Sequence, residues 1–335
     1  MTNPKRPFPA AYFALASLAL AITACSVDIE LTSPTATTPA TLAPNETVIA
    51  TGQKSHATPV LDTQGTMDAL TSDLTLTFRT PTPPFERNTD QEYSEEDRPD
   101  DLDGYQVHFV YAIPRDGTDR LRDLNGEIVL SASAANYWLA SKTDGQSLRY
   151  DTFDGELDIS FLALPLPAED VQPFDFYLYL YNAGFRDQSK SYVVYYDGLI
   201  ELTGNAAICG VARGNAGTIF MQAYFAGFDA ITCPRPTRTE NYADHLELTL
   251  VHEVLHILGA VSECAPHFDG GSHVTDSSYD LMSPYFSTQI SPELTVLDWK
   301  NDDYYATGSQ DCPDLANSVF MQPTVPDAEL PPDWE

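Results

Sequence analysis

The stretch His252-Glu253-Val254-Leu255-His256 places two histidines four residues apart, with a glutamate directly after the first. Residues four apart on an α-helix differ in direction by about 40°, so both imidazoles project from one face and can share one metal ion. Glu253 points about 100° round the helix, close to such an ion without binding it. The spacing therefore predicts a metal-binding helix with an acid-base residue beside the metal.

The residues around this motif are compatible with one helix from about residue 242 to residue 258. Apolar residues precede the motif, and Gly259 stands where such a helix would end. Zinc is the metal expected here, because it lowers the pKa of a bound water to about 7. Glu253 would take a proton from that water and pass it to a leaving amine. The motif thus predicts a zinc-dependent hydrolase of peptide bonds.

A catalytic zinc usually takes three protein ligands, so a third ligand must come from the chain after the helix. The segment His252 to Gly259 has the form HExxHxxG, which resembles the metzincin clan of zinc peptidases. In that clan the glycine lets the chain turn sharply and return a third histidine to the metal. The histidine normally follows three residues after the glycine, where this chain has Ser262.

Leishmanolysin-type metzincins insert a segment before the third histidine and soon afterwards reach a methionine turn. Here Ser272-His273 is followed by Asp280-Leu281-Met282-Ser283-Pro284, which resembles that arrangement with a shorter insert. The resemblance implies that His273 is the third ligand and that Met282 forms a hydrophobic floor beneath the metal. Tyr285 follows the methionine as do tyrosines that approach the substrate oxyanion in some metzincins, but an ordinary core tyrosine is the favoured interpretation.

Two alternative third ligands remain open. His267 lies in the same loop as His273, and Thr275-Asp276 followed by Tyr279 is faintly similar to zinc peptidases that use an aspartate. The aspartate alternative leaves Gly259 unexplained.

The remaining pattern predicts one α+β domain. Residues 105–113 alternate and are β-branched and aromatic, as in a half-buried strand, and Asn125 can cap a helix that Gly145 ends. Further strands are predicted at residues 157–164, 192–196, 206–211 and 218–224, and helices at residues 170–182 and 292–305. The resemblance implies a metzincin-like catalytic domain with a mixed twisted sheet, an active-site helix, a methionine turn and a C-terminal helix.

The first residues indicate export. Lys5 and Arg6 precede an apolar run too short to span a membrane comfortably as a helix, as in a signal peptide. The sequence Ile22-Thr23-Ala24-Cys25 resembles the lipobox of bacterial lipoproteins, which implies a lipid on Cys25 and an anchor in a bacterial membrane. Because Ser26 rather than an aspartate follows, we expect the outer membrane or the cell surface. The alternative is an ordinary secretory signal.

The sequence predicts four segments. Residues 1–24 form the signal, residues 25–102 a Thr/Pro-rich and then acidic tether that is largely disordered, residues 103–320 the peptidase domain and residues 321–335 a tail. The chain has 17 Lys+Arg against 49 Asp+Glu, a net charge of -32, which disfavours nucleic-acid binding. An aspartate of the acidic stretch, such as Asp100 or Asp103, could block the zinc as an inhibitory segment.

Four cysteines remain after Cys25, and an exported chain can form two disulfides from them. Sequence order favours Cys209 with Cys233 and Cys264 with Cys312, although three pairings are possible. A zinc site built from the four is disfavoured, because no Cys-x-x-Cys pair occurs.

Several charged residues outside the motif are predicted to be structural. Glu247, Glu263 and His245 are expected to face solvent, and His108 to lie on a strand surface. The cluster Asp151, Asp154 and Asp158 is predicted to be a solvated turn rather than a calcium loop, because the EF-hand spacing is absent.

The leading hypothesis is a zinc endopeptidase, lipid-anchored at the bacterial envelope and acting on peptide or protein substrates. The alternative is a non-catalytic zinc-binding envelope lipoprotein with a structural or adhesion role. The intact Glu253 argues against the alternative.

Overall fold

A mixed five-stranded sheet with helices on both faces supports the predicted metal-binding helix. The computed structural model describes residues 87–202, 209–225, 233, 235–284, 290–309, 311–332 and 334. The predictions for the signal, for Cys25, for the tether up to residue 86 and for Tyr285 lie outside the described residues. The elements in chain order are β1 (Gln106–Ile113), α1 (Glu127–Lys142), β2 (Ser147–Leu148), β3 (Thr152–Phe153), β4 (Glu156–Leu157), β5 (Ile159–Ala163), α2 (Phe176–Ala183), β6 (Lys190–Leu202), β7 (Gly210–Arg213), β8 (Ala216–Phe225), α3 (His245–Ile257) and β9 (Met321–Gln322).

The strand order in the main sheet is β5-β1-β6-β8-β7. The first four of these strands are parallel, and β7 pairs antiparallel with β8 at the edge. Alternate residues of β1 and β6 pack against α1 and α3 on one face and against α2 on the other. The edge strand β7 and the helix α3 therefore lie beside each other, which places the metal-binding motif at the edge of the sheet.

Strand β1 was predicted to be half-buried, but all eight of its residues are buried. Parallel strands with helices on both faces have no solvent face, which explains the difference. His108 is therefore not on a strand surface, and that prediction was wrong. Its Nδ1 lies 2.7 Å from Asp151 Oδ2 and its Nε2 lies 3.0 Å from Ser160 Oγ.

The aspartates near His108 belong to a buried ion-pair network. Lys190, whose side chain is 1% exposed, lies 2.5 Å from Asp97, 2.5 Å from Asp100 and 2.7 Å from Asp151. Asp158 is also buried and pairs with Arg98, whereas Asp154 is exposed. The prediction of a solvated turn was thus wrong for Asp151 and Asp158. Both carboxylates are buried, because cationic side chains from distant segments compensate their charge.

Part of the segment assigned to the tether is packed against the domain. Arg87 donates to the carboxylates of Asp119 and Asp123, and its guanidinium lies over the ring of Phe161. Together with the contacts of Lys190 to Asp97 and Asp100, these bonds hold residues 87–102 on the fold. Asp100 is paired with Lys190, and neither Asp100 nor Asp103 joins the histidines of the motif.

The predicted C-terminal helix at residues 292–305 is wrong, because turns occupy the described residues 290–309. Asp298 provides the physical reason: its Oδ2 accepts the backbone N–H groups of Tyr304 and Tyr305, each at 2.7 Å. A carboxylate that binds nearby backbone donors competes with helix formation. The helix predicted at residues 170–182 is shorter, beginning only at Phe176 after Pro173.

Two disulfides and the C-terminal segment add further contacts to the domain. Disulfides join Cys209 to Cys233 and Cys264 to Cys312, with Cα–Cα distances of 5.4 and 5.7 Å. The segment predicted to be a tail begins with β9, which pairs with β2, and the ring of Trp334 contacts that of Phe320 edge to face. Among the helices that the structure describes, none has the length and apolar character needed to cross a membrane.

Helix α3 begins at a capping box. Asp244 caps the helix, and Glu247 Oε2 accepts the N–H of Asp244 at 2.9 Å. Glu247 Oε1 also accepts the hydroxyl of Ser131 at 2.5 Å and the N–H of Thr237 at 3.0 Å. Glu247 is fully buried, so the prediction that it faces solvent was wrong. His245 is half-buried and bonded to the carbonyl of Ile290, whereas Glu263 is exposed as predicted.

Replacing Glu247 with alanine is expected to lower the free energy of unfolding by about 2–4 kcal/mol. The change removes a helix cap and leaves buried donors of Ser131 and Thr237 without an acceptor. Denaturant unfolding of the purified protein measures the loss. Glu263→Ala, at an exposed position, should stay within about 0.5 kcal/mol of wild type. Equal effects of the two changes would contradict a supporting role for the buried carboxylate.

Candidate metal centre

The two histidines of the motif project from α3 as the helical spacing requires. Their Nε2 atoms lie 3.0 Å apart. Two nitrogens bound to one tetrahedral zinc at about 2.0–2.1 Å would be separated by about 3.3 Å, so this spacing fits a shared ion. His252 is buried, and His256 is half-buried and faces a cavity.

A backbone carbonyl orients His252. Its Nδ1 lies 2.8 Å from the oxygen of Leu281, to which it donates, so in this tautomer Nε2 carries the lone pair that can bind a metal ion. Leu281 belongs to the turn that the resemblance assigned as a methionine turn. Asp280 shapes that turn: its Oδ1 accepts the N–H of Met282 at 2.7 Å, and its Oδ2 accepts the N–H of Trp299 at 2.7 Å. Hydrogen bonds of this kind fix the tautomer and direction of a metal-binding imidazole.

His273 reaches the motif from the third-ligand loop, the name we give to residues 267–276. Phe268 and Val274 form an antiparallel bridge across it, and Asp269 Oδ1 accepts the N–H of His273 at 3.1 Å. The ring centroid of His273 lies 4.7 Å from that of His256 and 5.3 Å from that of His252. One nitrogen from each of the three rings lies within 4.8 Å of the others.

The surroundings keep the helix imidazoles neutral. Burial lowers the pKa of His252 to about 4. Burial and the neighbouring histidines also hold the pKa of His256 well below its usual value. Neutral imidazoles are the form that binds metal ions. The donor set, the neutrality of the two helix imidazoles and the spacing of the three rings therefore fit zinc.

Glu253 lies beside the histidines and against the edge of the sheet. A Cβ at Gly210 would stand 2.6 Å from Glu253 Cγ, so only a glycine in β7 leaves room for this side chain. Burial raises the pKa of Glu253 to about 8, and a cation held by the three histidines would lower it again by attraction. The carboxyl is thus placed to exchange a proton near neutral pH.

These residues share one cavity of about 470 Å³. Its walls are residues 210–214 on the β7 side, the motif residues of α3, and residues 271–273 of the third-ligand loop. Phe174 adds an apolar side chain at its rim. The cavity thus lies between the histidines and the edge strand.

The other residues singled out from the sequence lie in different places. Gly259 has φ +65°, a conformation that favours glycine, and Pro332 packs so closely that a Cβ would meet its ring at 2.7 Å. Met282 is fully buried in the core that α3 shares, and its position beneath the metal stays a prediction. His267 and Asp276 do not join His252 and His256; they belong to a separate group with Asp302 and Asp303.

The roles of Gly210, Leu281 and Asp280 in shaping the site were not predicted from the sequence. A glycine inside a predicted strand is a signal for a close approach of another chain segment, and Gly210 carried that signal. Leu281 acts through its backbone carbonyl, which no residue pattern reveals. Asp280 could be found only once its distant partners, Trp299 and Tyr304, were placed beside it.

Neither the protein-family models nor the curated protein sequences match this chain. Two similar solved structures are archaemetzincin from Methanopyrus kandleri and metalloproteinase-II from Bacteroides fragilis, each 16% identical. The first likeness covers 56% of this chain and 88% of archaemetzincin, with a TM-score of 0.30. The second covers 65% of this chain and 56% of the metalloproteinase, with a TM-score of 0.26. Similarity this remote gives no information about function, so a function must be inferred from the site residues themselves.

Proposed function

We propose that this protein is a zinc-dependent endopeptidase of the metzincin type. The observation that carries the proposal is the convergence of His252, His256 and His273 on one point, with the buried carboxyl of Glu253 beside them in a cavity. Three histidines leave a position open on a four-coordinate zinc, as catalytic sites require. A purely structural zinc site would be closed by a fourth protein ligand.

Glu253 would carry the proton transfers of the reaction. When bound, zinc would supply a Lewis acid that polarises a carbonyl and makes hydroxide available near neutral pH. Glu253 accepts the proton of the attacking water at a carboxylate oxygen and returns it to the nitrogen of the leaving amine. The close approach of Gly210 keeps the carboxyl on the cavity side of β7.

The edge strand β7 suggests how a peptide binds. The carbonyl of Cys209 accepts the N–H of Phe220 in β8, so by antiparallel alternation the N–H and C=O groups of Gly210 and Ala212 point away from β8. An extended peptide can pair with these groups as an added strand. This alignment would carry a backbone carbonyl past Glu253 and favours cleavage within a chain.

The location of the activity is also part of the proposal. The lipobox-like sequence at Cys25 supports a lipid anchor. The excess of acidic residues disfavours binding of the protein surface to nucleic acids or to anionic lipids. A lipid on Cys25 would hold the peptidase at the bacterial envelope. Metabolic labelling with a palmitate analogue, lost in Cys25→Ser, tests the anchor.

Zinc removal tests the reaction class. The purified protein is expected to contain about one zinc per chain at the three histidines and to cut casein or a quenched peptide library. A chelator should abolish cleavage, and zinc, but not magnesium, should restore it, because magnesium prefers oxygen ligands. Elemental analysis and fluorescence report the two quantities. Stoichiometric zinc with no cleavage of any library peptide would favour the non-catalytic alternative.

A further inference from the structure

A second group of potential ligands lies apart from the proposed zinc centre. It consists of His267, Asp276, Asp302 and Asp303, each offering one atom within 4.8 Å of the others. His267 and Asp276 are the two ends of the third-ligand loop. Asp302 and Asp303 come from the turn segment after Asp298, which the disulfide Cys264–Cys312 holds near the loop.

The carboxylate of Asp276 lacks the partners that a buried charge requires. Its side chain is 6% exposed, and neither of its oxygens has a hydrogen bond among the described residues. Asp302 Oδ1 is likewise shielded and without a hydrogen bond, although the side chain as a whole is 42% exposed. The nearest cation to Asp276 is the ammonium of Lys300, 3.6 Å away on a side chain that is 59% exposed. Burying several carboxylates next to one another is costly when no cation within hydrogen-bonding distance joins them.

The other acidic group of the protein shows the contrast. Around His108, the buried ammonium of Lys190 lies at hydrogen-bonding distance from three carboxylates and already serves as the cation. Between Asp276, Asp302 and Asp303 the nearest equivalent is the imidazole of His267, whose Nδ1 lies 2.9 Å from Asp303 but 3.9 Å from both Asp276 and Asp302, beyond hydrogen-bonding distance. The negative charge of the second group is therefore less fully compensated by the protein, and an external cation would stabilise it.

We propose that Asp276, Asp302 and Asp303 bind a calcium ion. Carboxylate oxygens are the ligands that calcium prefers, and water can complete its coordination. The nitrogen of His267 that faces the three carboxylates is not a ligand for a softer metal, because this Nδ1 lies 2.9 Å from Asp303 Oδ2 and donates to that carboxylate. The backbone N–H of His267 also donates to Asp303 Oδ1 at 2.8 Å, so His267 orients the carboxylate of Asp303.

The position of the ion would couple it to the zinc centre. Asp276 closes one end of the third-ligand loop, and Asp303 is bonded to His267 at the other end. A calcium ion joining Asp276 to Asp302 and Asp303 fixes both ends of the loop that carries His273. Calcium would then tighten zinc binding, and zinc would tighten calcium binding by the same factor. This coupling rests on the proposed zinc site, whereas the calcium site itself does not.

Calcium titration of the full-length protein, with zinc held at one equivalent, tests the site. Isothermal titration calorimetry should show that the wild type binds one calcium ion. Asp276→Asn and Asp302→Asn should each bind calcium at least about tenfold more weakly than the wild type. Lys300→Gln should bind calcium more tightly, because it removes a competing cation. Asp327→Asn, at an exposed position with no ion pair among the described residues, should match wild type.

Thermal unfolding separates a calcium ligand from a merely structural aspartate. In 5 mM calcium the wild type is expected to melt roughly 2–9 °C higher than without it. Without calcium, Asp276→Asn should melt at or above the wild-type temperature because a repulsive charge is gone, and with calcium it should melt below. Absence of calcium binding, or a calcium affinity unchanged in Asp276→Asn and Asp302→Asn, would overturn the proposal. Neither measurement uses activity, so a protein that binds calcium but cuts no peptide would overturn only the proposed function.

Discussion

Glu253→Gln is expected to lower kcat/KM for peptide cleavage by about 10³-fold or more while one zinc per chain is retained. Glutamine keeps the size of the side chain beside Gly210, but it cannot accept the proton of the attacking water, and proton transfer by a positioned group contributes about 10²–10⁴-fold. The three histidines are untouched, so the metal should stay. Steady-state cleavage of a quenched peptide and elemental analysis of the same sample measure both quantities.

Glu263→Gln provides the matched control, because Glu263 is an exposed glutamate shortly after the same helix. It should leave kcat/KM and zinc content at wild-type values. Full activity in Glu253→Gln with zinc present would refute the assigned proton transfer. Loss of zinc from Glu253→Gln would instead mean that this carboxyl helps to hold the metal.

Features that depend on local periodicity could be predicted from the sequence. Helix α3 and the convergence of His252 with His256 follow from the helical repeat alone, and the capping residue Asp244 lies at the start of the same segment. The main strands were also found where alternating or β-branched residues concentrate, although their ends differ. These features need no knowledge of what packs against them.

Features that depend on distant partners could not be predicted in this way. Glu247 and His108 looked like surface residues because the sequence does not show Thr237, Ser131 or Asp151 arriving beside them. Residues 292–305 contain apolar positions compatible with a helix, but the carboxylate of Asp298 takes up the backbone donors instead. In each case a polar side chain found partners far along the chain or outside the expected element.

The third zinc ligand could be predicted only in part from the sequence. The spacing of the motif requires a third ligand but cannot say which residue provides it, and the resemblance to leishmanolysin-type peptidases selected His273. The structure places the three alternatives in two different groups: His273 stands with the helix histidines, and His267 and Asp276 stand with Asp303. We therefore assign the two rivals to the proposed calcium site rather than to the proposed zinc centre.

His273→Ala is expected to weaken zinc binding by more than the 10–100-fold typical of losing a residue that only orients a ligand, and to abolish cleavage. The change leaves two protein ligands on α3 and removes the imidazole that the third-ligand loop brings to them. Competition with a zinc-sensitive dye measures the affinity. Imidazole added to the solution should restore part of the zinc binding, because the vacated space beside His256 can accept a free ring.

His267→Gln distinguishes the two candidate ligands when it is measured beside His273→Ala in saturating calcium. His267 donates to Asp303 and lies outside the group formed by the motif, so zinc affinity and cleavage should stay close to wild type. The reverse pattern, with zinc lost from His267→Gln and kept in His273→Ala, would exchange the two assignments. Because both histidines lie in one loop, a general loosening of that loop would affect both variants equally, and addition of imidazole would then rescue neither.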